Sequence, residues 1–383
     1  MVGLREVCLR LFGQPDGRFN HGVHHQLRGI QSIAAGQLGQ VHRRHRQAVR
    51  AATSDFVRWG SLQPGERLPA VCEATQPGLD LPSWLQSQRD DIRARLLVHG
   101  AILFRGFPVA DAAGFNACVD AVSGGALRYQ FRASPRTQIQ GGLNVYTSTD
   151  YPSQERIFPH NEHSYSPVFP LHLYFFCHTP SPVGGETPLG DTRVLLSRIR
   201  PDIREAFLER KIMYVRNYGD GFGLPWRTVF QTNDPREVER YAESVGIEVE
   251  WKSGDRLRTR QVGPAVVKHP ATGEAVWFNH GTFFNELTLP ASVRESLRRE
   301  FAPEDLPQNT FYGDGAPIEP DTVLHLQAAY QDVMLAFPWQ RGDVVLLDLP
   351  AGQTPYLDQA LQAADQVLGK AGSKVLLGSA LIS

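Results

Sequence analysis

Residues 159–199 read PHNEHSYSPVFPLHLYFFCHTPSPVGGETPLGDTRVLLSRI. His160 and Glu162 stand one residue apart, so in an extended segment both side chains point to the same side. An imidazole nitrogen and a carboxylate are ligands that suit iron(II) and similar divalent ions. Taken alone, a His-x-Glu triplet is common and is typical of a surface turn. The rest of the chain therefore has to supply the other parts of a site.

The composition of the chain is that of a folded protein with no strong charge bias. Of its 383 residues, 42% are apolar and 20 are phenylalanine, enough for a sizeable core. The 39 basic and 40 acidic residues nearly cancel, which argues against a nucleic-acid or anionic-membrane surface. The four cysteines form no CxxC pair, so a reducing cytoplasm is the simplest location. No apolar run approaches the roughly 20 residues that span a bilayer.

The N-terminal part of the chain differs from the rest. Residues 1–55 contain eight arginines, three acidic residues and five of the thirteen histidines. They lack the continuous apolar stretch of a signal peptide. We interpret residues 1–60 as a basic, poorly ordered extension and residues 61–383 as a single domain.

Short apolar segments bounded by glycine or proline predict a mainly β protein. The predicted strands lie within residues 100–107, 171–179, 211–219, 264–270, 275–284, 342–349 and 373–383. Helical patterns occupy residues 85–97, 201–211 and 321–337. Many short strands with a few outer helices favour a β-sandwich or jelly roll.

The quoted segment resembles the taurine dioxygenase and clavaminate synthase-like family of iron(II)- and 2-oxoglutarate-dependent oxygenases. The resemblance covers roughly residues 80–348 and implies a double-stranded β-helix (jelly roll) with helical insertions. It implies that His160 and Glu162 begin a strand and bind iron(II). It also implies that Thr187, in the GGET loop 27 residues after His160, binds the carboxylate of the cosubstrate 2-oxoglutarate.

Within that family, the chain most resembles a subgroup that carries a His-x-Glu pair and hydroxylates the β-carbon of amino acids. Such substrates are often tethered to peptide-synthetase carrier domains, which are therefore the expected partners. The resemblance places Arg216 at the substrate pocket, where a lone arginine is either a carboxylate binder or a structural cation. Asn144 either binds a polar substrate or stabilises a hydrogen-bonded loop. His163, by strand alternation, points away from the pair, behind it or at the surface.

The C-terminal segment departs from the family. After GDVVLLD the family continues with an asparagine, then His-Gly-Arg, and later with an arginine that binds the far carboxylate of 2-oxoglutarate. Here the third metal ligand should fall near Thr354, yet no histidine follows His325. Lys374 stands where the arginine is expected, and residues 349–372 are atypical. A lysine is a point charge without the two-pronged geometry of a guanidinium.

Three explanations of this departure stay open. The chain is an altered copy with an incomplete site, or His280 completes the site, or two protein ligands plus water suffice. The leading hypothesis is an oxygenase acting on an amino-acid-like substrate. The alternative is a non-catalytic relative that acts as a binding or scaffold protein. A cupin-type module is a third reading, but the sequence lacks the His cluster of that class.

Overall fold

The computed structural model describes residues 56–126, 136–139, 143–147, 157–167, 169–219 and 223–349, and the backbone of 378–382. The strands are β1 Val57–Ser61, β2 Ala70–Ala74, β3 Ala101–Arg105, β4 His172–Cys177, β5 Leu189–Gly190, β6 Ile212–Tyr218, β7 Ile247–Lys252, β8 Arg256–Gly263, β9 Val266–Lys268, β10 Ala275–Trp277, β11 Gln308–Tyr312, β12 Met334–Leu335, β13 Val344–Asp348 and β14 Gly378–Ile382. The helices are α1 Leu81–His99, α2 Ala112–Ser123, α3 Thr192–Arg198, α4 Pro201–Arg210, α5 Trp226–Phe230, α6 Pro235–Ser244, α7 Gly281–Phe284, α8 Ala291–Glu300 and α9 Pro320–Asp332.

The larger sheet has six strands in the order β1-β2-β3-β13-β4-β14. Its centre is β13, which pairs antiparallel with β3 on one side and with β4 on the other. Alternate residues of β3 face opposite sides: Ile102 and Phe104 pack under α1 and α2, while Leu103 packs against Phe337. Burial on both faces explains why β3 and β13 read as almost continuous apolar runs.

The long helix α1 has clear signals at both ends. The Asp80 side chain accepts a hydrogen bond from the backbone N–H of Ser83, 2.9 Å away, which satisfies one unpaired donor of the first turn. The helix ends at Gly100, whose φ of 75° is the left-handed conformation that glycine adopts without strain. These two signals fix where α1 begins and ends.

The smaller of the two main sheets has four strands in the order β11-β6-β8-β7, and two separate strand pairs join β10 with β9 and β12 with β5. Its central strand β6 is antiparallel to both β8 and β11. A second apolar cluster packs Phe207, Tyr214 and Trp277 with residues of α9, on the side of this sheet that faces the His160 segment. The two sheets with their outer helices form the mainly β scaffold predicted from the sequence, although the described strands do not close into a barrel.

Most predicted elements agree with the structure, and the differences are local. Residues 275–284 were predicted as one strand, but the strand ends at Trp277 and helix α7 follows. The predicted boundary at residue 60 falls inside β1, and residues 1–55 lie outside the described part of the chain. Within the described part, none of the helices combines the length and the apolar character needed to cross a membrane.

Candidate metal centre

The His160–Glu162 motif lies in a turn, so the expectation that it begins a strand is wrong. The middle residue of the motif holds the turn in place. Asn161 is buried, and its amide nitrogen donates to the main-chain oxygens of Trp277 at 3.3 Å and Asn279 at 3.0 Å. Because this amide anchors the turn from within, the side chains of His160 and Glu162 converge without strand alternation.

The His160 ring is oriented for a cation. Its Nδ1 lies 2.9 Å from the carbonyl oxygen of Phe158, which can only accept, so Nδ1 carries a proton and donates. Its Nε2 lies 3.2 Å from Oε2 of Glu162. With the proton of a neutral ring on Nδ1, the lone pair of Nε2 is directed toward Glu162, as it is in a histidine that binds a metal ion. The pair therefore fits a divalent metal ion, with His160 Nε2 and Glu162 as its ligands.

Glu162 has a second charged neighbour that the sequence did not reveal. Nη2 of Arg136 lies 3.3 Å from Oε1 of Glu162, and both side chains are largely buried. Burial alone would raise the pKa of the Glu162 carboxyl, but the Arg136 guanidinium and the His160 ring hold that pKa well below its usual range. Glu162 is therefore a carboxylate at neutral pH, as a metal ligand must be.

His280 stands beside this pair and supports it. Its Nδ1 lies 2.9 Å from the main-chain oxygen of Asn161, and its ring meets the His160 ring edge-on at 4.9 Å between centroids. Burial, with the nearby His160 ring, lowers the pKa of His280 well below its usual value, so the ring is neutral and Nδ1–H donates. No three His, Cys, Asp or Glu side chains among the described residues are grouped so that they could hold a metal ion. His280 thus anchors the peptide between the two ligands and does not complete a three-ligand set.

Thr187 and Asn144 are held by contacts of their own. The Thr187 hydroxyl accepts a hydrogen bond from the indole N–H of Trp339 at 3.3 Å. The Asn144 amide donates to the main-chain oxygen of Ala126 at 2.8 Å, which braces the loop that carries it. Neither contact joins these residues to the metal pair, so their roles toward cosubstrate and substrate stay predictions.

Arg216 contacts Tyr165, which lies beside the metal pair. Its guanidinium carbon is 5.1 Å from the ring centroids of Tyr165 and Tyr218. The Tyr165 ring in turn contacts the His280 ring at 5.0 Å between centroids. Two rings, those of Tyr165 and His280, therefore connect Arg216 to His160.

The remaining predicted positions divide into two groups. His163 is buried at 7% exposure, with φ of 61° and its ring tilted against Tyr165, so it is not at the surface. The expectation that His163 points away from the pair assumed an extended strand, and a residue with positive φ does not follow strand alternation. Lys374, Thr354 and the atypical segment 349–372, apart from residue 349 itself, lie outside the described residues.

Sequence reasoning missed Arg136 and the role of Asn161. Arg136 stands 26 residues before Glu162, and nothing in its neighbourhood marks it as a partner of that carboxylate. Asn161 gave one usable signal: an amide inside a His-x-Glu motif can satisfy several main-chain groups at once. A lone asparagine in a polar run does not show that it is buried.

A jelly-roll type of scaffold that presents a histidine and a carboxylate two residues apart is typical of metal-dependent oxygenases. Comparison with known families agrees: residues 64–348 match the family described as "Taurine catabolism dioxygenase TauD, TfdA family". The chain belongs to this family, whose members are iron(II)- and 2-oxoglutarate-dependent dioxygenases with a jelly-roll fold.

Two relatives are similar over most of their length. The dapdiamide synthesis protein DdaC of Enterobacter agglomerans is 38% identical over 249 residues, which cover 65% of this chain and 75% of DdaC. A clavaminate synthase-like protein of Arabidopsis thaliana is 31% identical over 286 residues, covering 71% of this chain and 82% of that protein. Among solved structures, the PvcB protein of Pseudomonas aeruginosa matches with a TM-score of 0.44 and 15% identity, over 77% of this chain and 84% of PvcB.

Proposed function

We propose that this protein is an iron(II)- and 2-oxoglutarate-dependent oxygenase that hydroxylates an amino acid or an amino-acid-derived substrate. The observation that carries the proposal is the convergence of His160 Nε2 and Glu162 Oε2 at 3.2 Å, which brings an imidazole nitrogen and a carboxylate oxygen to one point. The similarity to DdaC, a protein of dapdiamide synthesis, supports an amino-acid-like substrate. The substrate is either free or held on a peptide-synthetase carrier domain.

The chain's own residues have distinct tasks in this proposal. His160 and Glu162 hold the metal ion, and Asn161 and His280 keep the turn between them rigid. Thr187 binds a carboxylate of 2-oxoglutarate. Bound iron(II) would supply the chemistry: dioxygen hydroxylates a C–H bond of the substrate and oxidises 2-oxoglutarate to succinate and carbon dioxide, one oxygen atom going to each.

Three more residues take part in the proposed site. Arg216 lies against the Tyr165 ring, and its guanidinium suits the carboxylate of an amino-acid substrate. Asn144 extends the pocket with a polar amide, and Lys374 supplies a positive charge for the far carboxylate of 2-oxoglutarate. A lysine there should bind that carboxylate more weakly than an arginine.

The second candidate function is a binding or scaffold protein that keeps the fold without the chemistry. It is favoured by one observation, the absence of histidine after His325, since loss of one of three protein ligands weakens metal binding. The two functions differ in whether the His160–Glu162 pair takes up iron(II) together with 2-oxoglutarate.

The test is an anaerobic titration of the metal-free protein with iron(II) and then 2-oxoglutarate, monitored by the visible charge-transfer band of the chelate. A saturable band that His160→Ala abolishes supports the oxygenase. His178→Ala is the matched control, since His178 is exposed just after β4 and should leave the band unchanged. Absence of a band at high concentrations of both reagents would refute the oxygenase and favour the binding protein.

A further inference from the structure

The hydroxyl of Thr187, the residue proposed to bind a carboxylate of 2-oxoglutarate, has a fixed neighbour. The indole N–H of Trp339 donates to the Thr187 hydroxyl oxygen at 3.3 Å. An indole N–H can only donate, whereas a hydroxyl has one proton and two lone pairs. The indole therefore occupies a lone pair of the hydroxyl oxygen and leaves the hydroxyl proton for a different acceptor.

The Trp339 ring belongs to the core of the larger sheet. It is 9% exposed and lies in one apolar cluster with Leu189 and Phe337, and the Phe337 ring is 5.1 Å from it between centroids. Thr187, in contrast, is only half-buried. The hydrogen bond thus joins a donor that is fixed in the core to a hydroxyl that borders the surface.

A buried ion pair holds the loop that carries Trp339. The Arg105 guanidinium donates through Nε and Nη2 to the two carboxylate oxygens of Asp343, at 3.1 and 2.6 Å. The Asp343 side chain is fully buried, and that of Arg105 is largely buried. Nη2 of Arg105 also donates to the main-chain oxygen of Pro338 at 3.0 Å. Asp343 accepts from the backbone N–H of Gln340 at 2.8 Å, so the residues on both sides of Trp339 are fixed by this pair.

The backbone next to Thr187 is fixed as well. Strand β5 begins two residues after Thr187 and pairs antiparallel with β12, which leads into the loop of Trp339. Both partners of the hydrogen bond are therefore held by contacts of their own, and the direction of the hydroxyl is set before a ligand binds. A donor that is set in advance lowers the entropic cost of binding.

We propose that Trp339 is a positioning residue, which directs the Thr187 hydroxyl proton toward a carboxylate of 2-oxoglutarate. The inference rests on the proposed function, which assigns that carboxylate to Thr187. A hydroxyl that donates to an anion makes a charge-assisted hydrogen bond, which is stronger than a neutral one. The bond accepted from the indole also polarises the hydroxyl and strengthens the bond that it donates. Without the indole N–H the hydroxyl rotates freely, so 2-oxoglutarate should bind more weakly.

The test is a double-mutant cycle on the full chain, with the affinity for 2-oxoglutarate at saturating iron(II) read anaerobically from the charge-transfer band. Thr187→Val removes the hydroxyl and should weaken binding by about tenfold to a hundredfold, as expected for a hydrogen bond to a charged group. Trp339→Phe keeps an aromatic ring but removes the N–H, and should weaken binding by about threefold to tenfold. In the Thr187→Val background, Trp339→Phe should weaken binding by less than about twofold, because no hydroxyl is left to direct.

Two controls separate positioning from a general effect on the fold. Trp251→Phe removes an indole N–H that donates to Glu239 at 2.7 Å, and it should leave the affinity for 2-oxoglutarate unchanged. The affinity of each variant for Mn(II) without any oxo acid is followed by the electron paramagnetic resonance signal of free Mn(II). It should equal that of the wild type, because the contact between Trp339 and Thr187 does not involve the metal ligands.

A second measurement leaves the Trp339 ring in place. The chain has six tryptophans, so the zinc(II)-loaded protein labelled at the indole nitrogens gives six N–H signals in nuclear magnetic resonance spectra. Thr187→Val removes the acceptor of the Trp339 N–H and should shift one of these signals. In the wild type the same signal should shift when 2-oxoglutarate is added. This readout decides if Trp339→Phe also lowers the Mn(II) affinity, because it needs no change at position 339.

The outcomes that contradict the inference differ from the one that contradicts the proposed function. A loss of affinity in Trp339→Phe that persists in full in the Thr187→Val background would overturn the inference, because Trp339 would then act without the hydroxyl. Unchanged affinity in either single variant, or no indole signal that responds to both changes, would overturn it as well. A wild-type chain that gives no charge-transfer band would instead refute the proposed function.

Discussion

His172 should make the stability of this protein depend on pH. It opens β4 with a side chain that is 14% exposed, and its Nδ1 lies 3.2 Å from the Ser123 hydroxyl. Burial, with smaller contributions from Arg93 and His269, lowers the pKa of His172 from the ordinary value of 6.5 to about 4. The neutral ring is therefore the form that the folded protein accepts.

The size and sign of the effect follow from this difference. Each pH unit between the two pKa values corresponds to 1.36 kcal/mol, so a fall from 6.5 to about 4 corresponds to about 3 kcal/mol. The folded pKa is the lower one, so this stability is fully present above pH 6.5 and is lost as the pH falls toward 4. That is a substantial part of a typical free energy of unfolding, about 5–15 kcal/mol.

The variant His172→Asn keeps a polar side chain near Ser123 but cannot titrate. Urea unfolding of both proteins at pH 7, 6, 5 and 4 measures the difference in their free energies of unfolding. We expect this difference to shift by about 3 kcal/mol in favour of the variant between pH 7 and pH 4. His178→Asn, at an exposed position just after the same strand, should run parallel to the wild type. A constant difference between His172→Asn and the wild type at every pH would refute the reasoning.

Two further variants test the core and the turn. Phe115 is fully buried and stacks on Phe176 at 5.4 Å between ring centroids. Phe115→Ala should therefore lower the free energy of unfolding by about 3–5 kcal/mol in urea titrations. A loss below about 1 kcal/mol would contradict this packing. Asn161→Ala removes the amide that anchors the metal turn, so it should weaken Mn(II) binding by about tenfold to a hundredfold while the far-ultraviolet circular dichroism stays native. An unchanged Mn(II) affinity would show that the turn holds without Asn161.

The strands that could be predicted are those whose burial leaves a mark in the sequence. β3, β4 and β13 are apolar runs because neighbours cover both of their faces, and a run of this kind is visible without a structure. Residues 275–284 look equally apolar, yet the chain turns after Trp277. There the Asn279 side chain accepts from the backbone N–H of Gly281, and the backbone N–H of His280 donates to the Tyr214 hydroxyl. Polar contacts of this kind override an apolar pattern.

The candidate site could be predicted only in part, for a related reason. His160 and Glu162 were found because two ligands sit within three residues of each other. Arg136 and Glu162 are 26 residues apart in the sequence, and their pairing depends on how these two segments fold together. The position of the third ligand, expected near Thr354, stays a prediction because it lies outside the described residues.

Strand β14 also has a structural role in the six-stranded sheet that is separate from the metal site. β14 runs parallel to β4 and covers the side of β4 that β13 leaves open. Without β14, β4 would present a row of unpaired N–H and C=O groups, flanked by large apolar side chains, to any other extended chain. Such an open edge is a template for aggregation. Among the described strands β14 is then the outer one on this side, and its pairing makes β4 an inner strand of the sheet, a reason to keep β14 whatever the chemistry of the site.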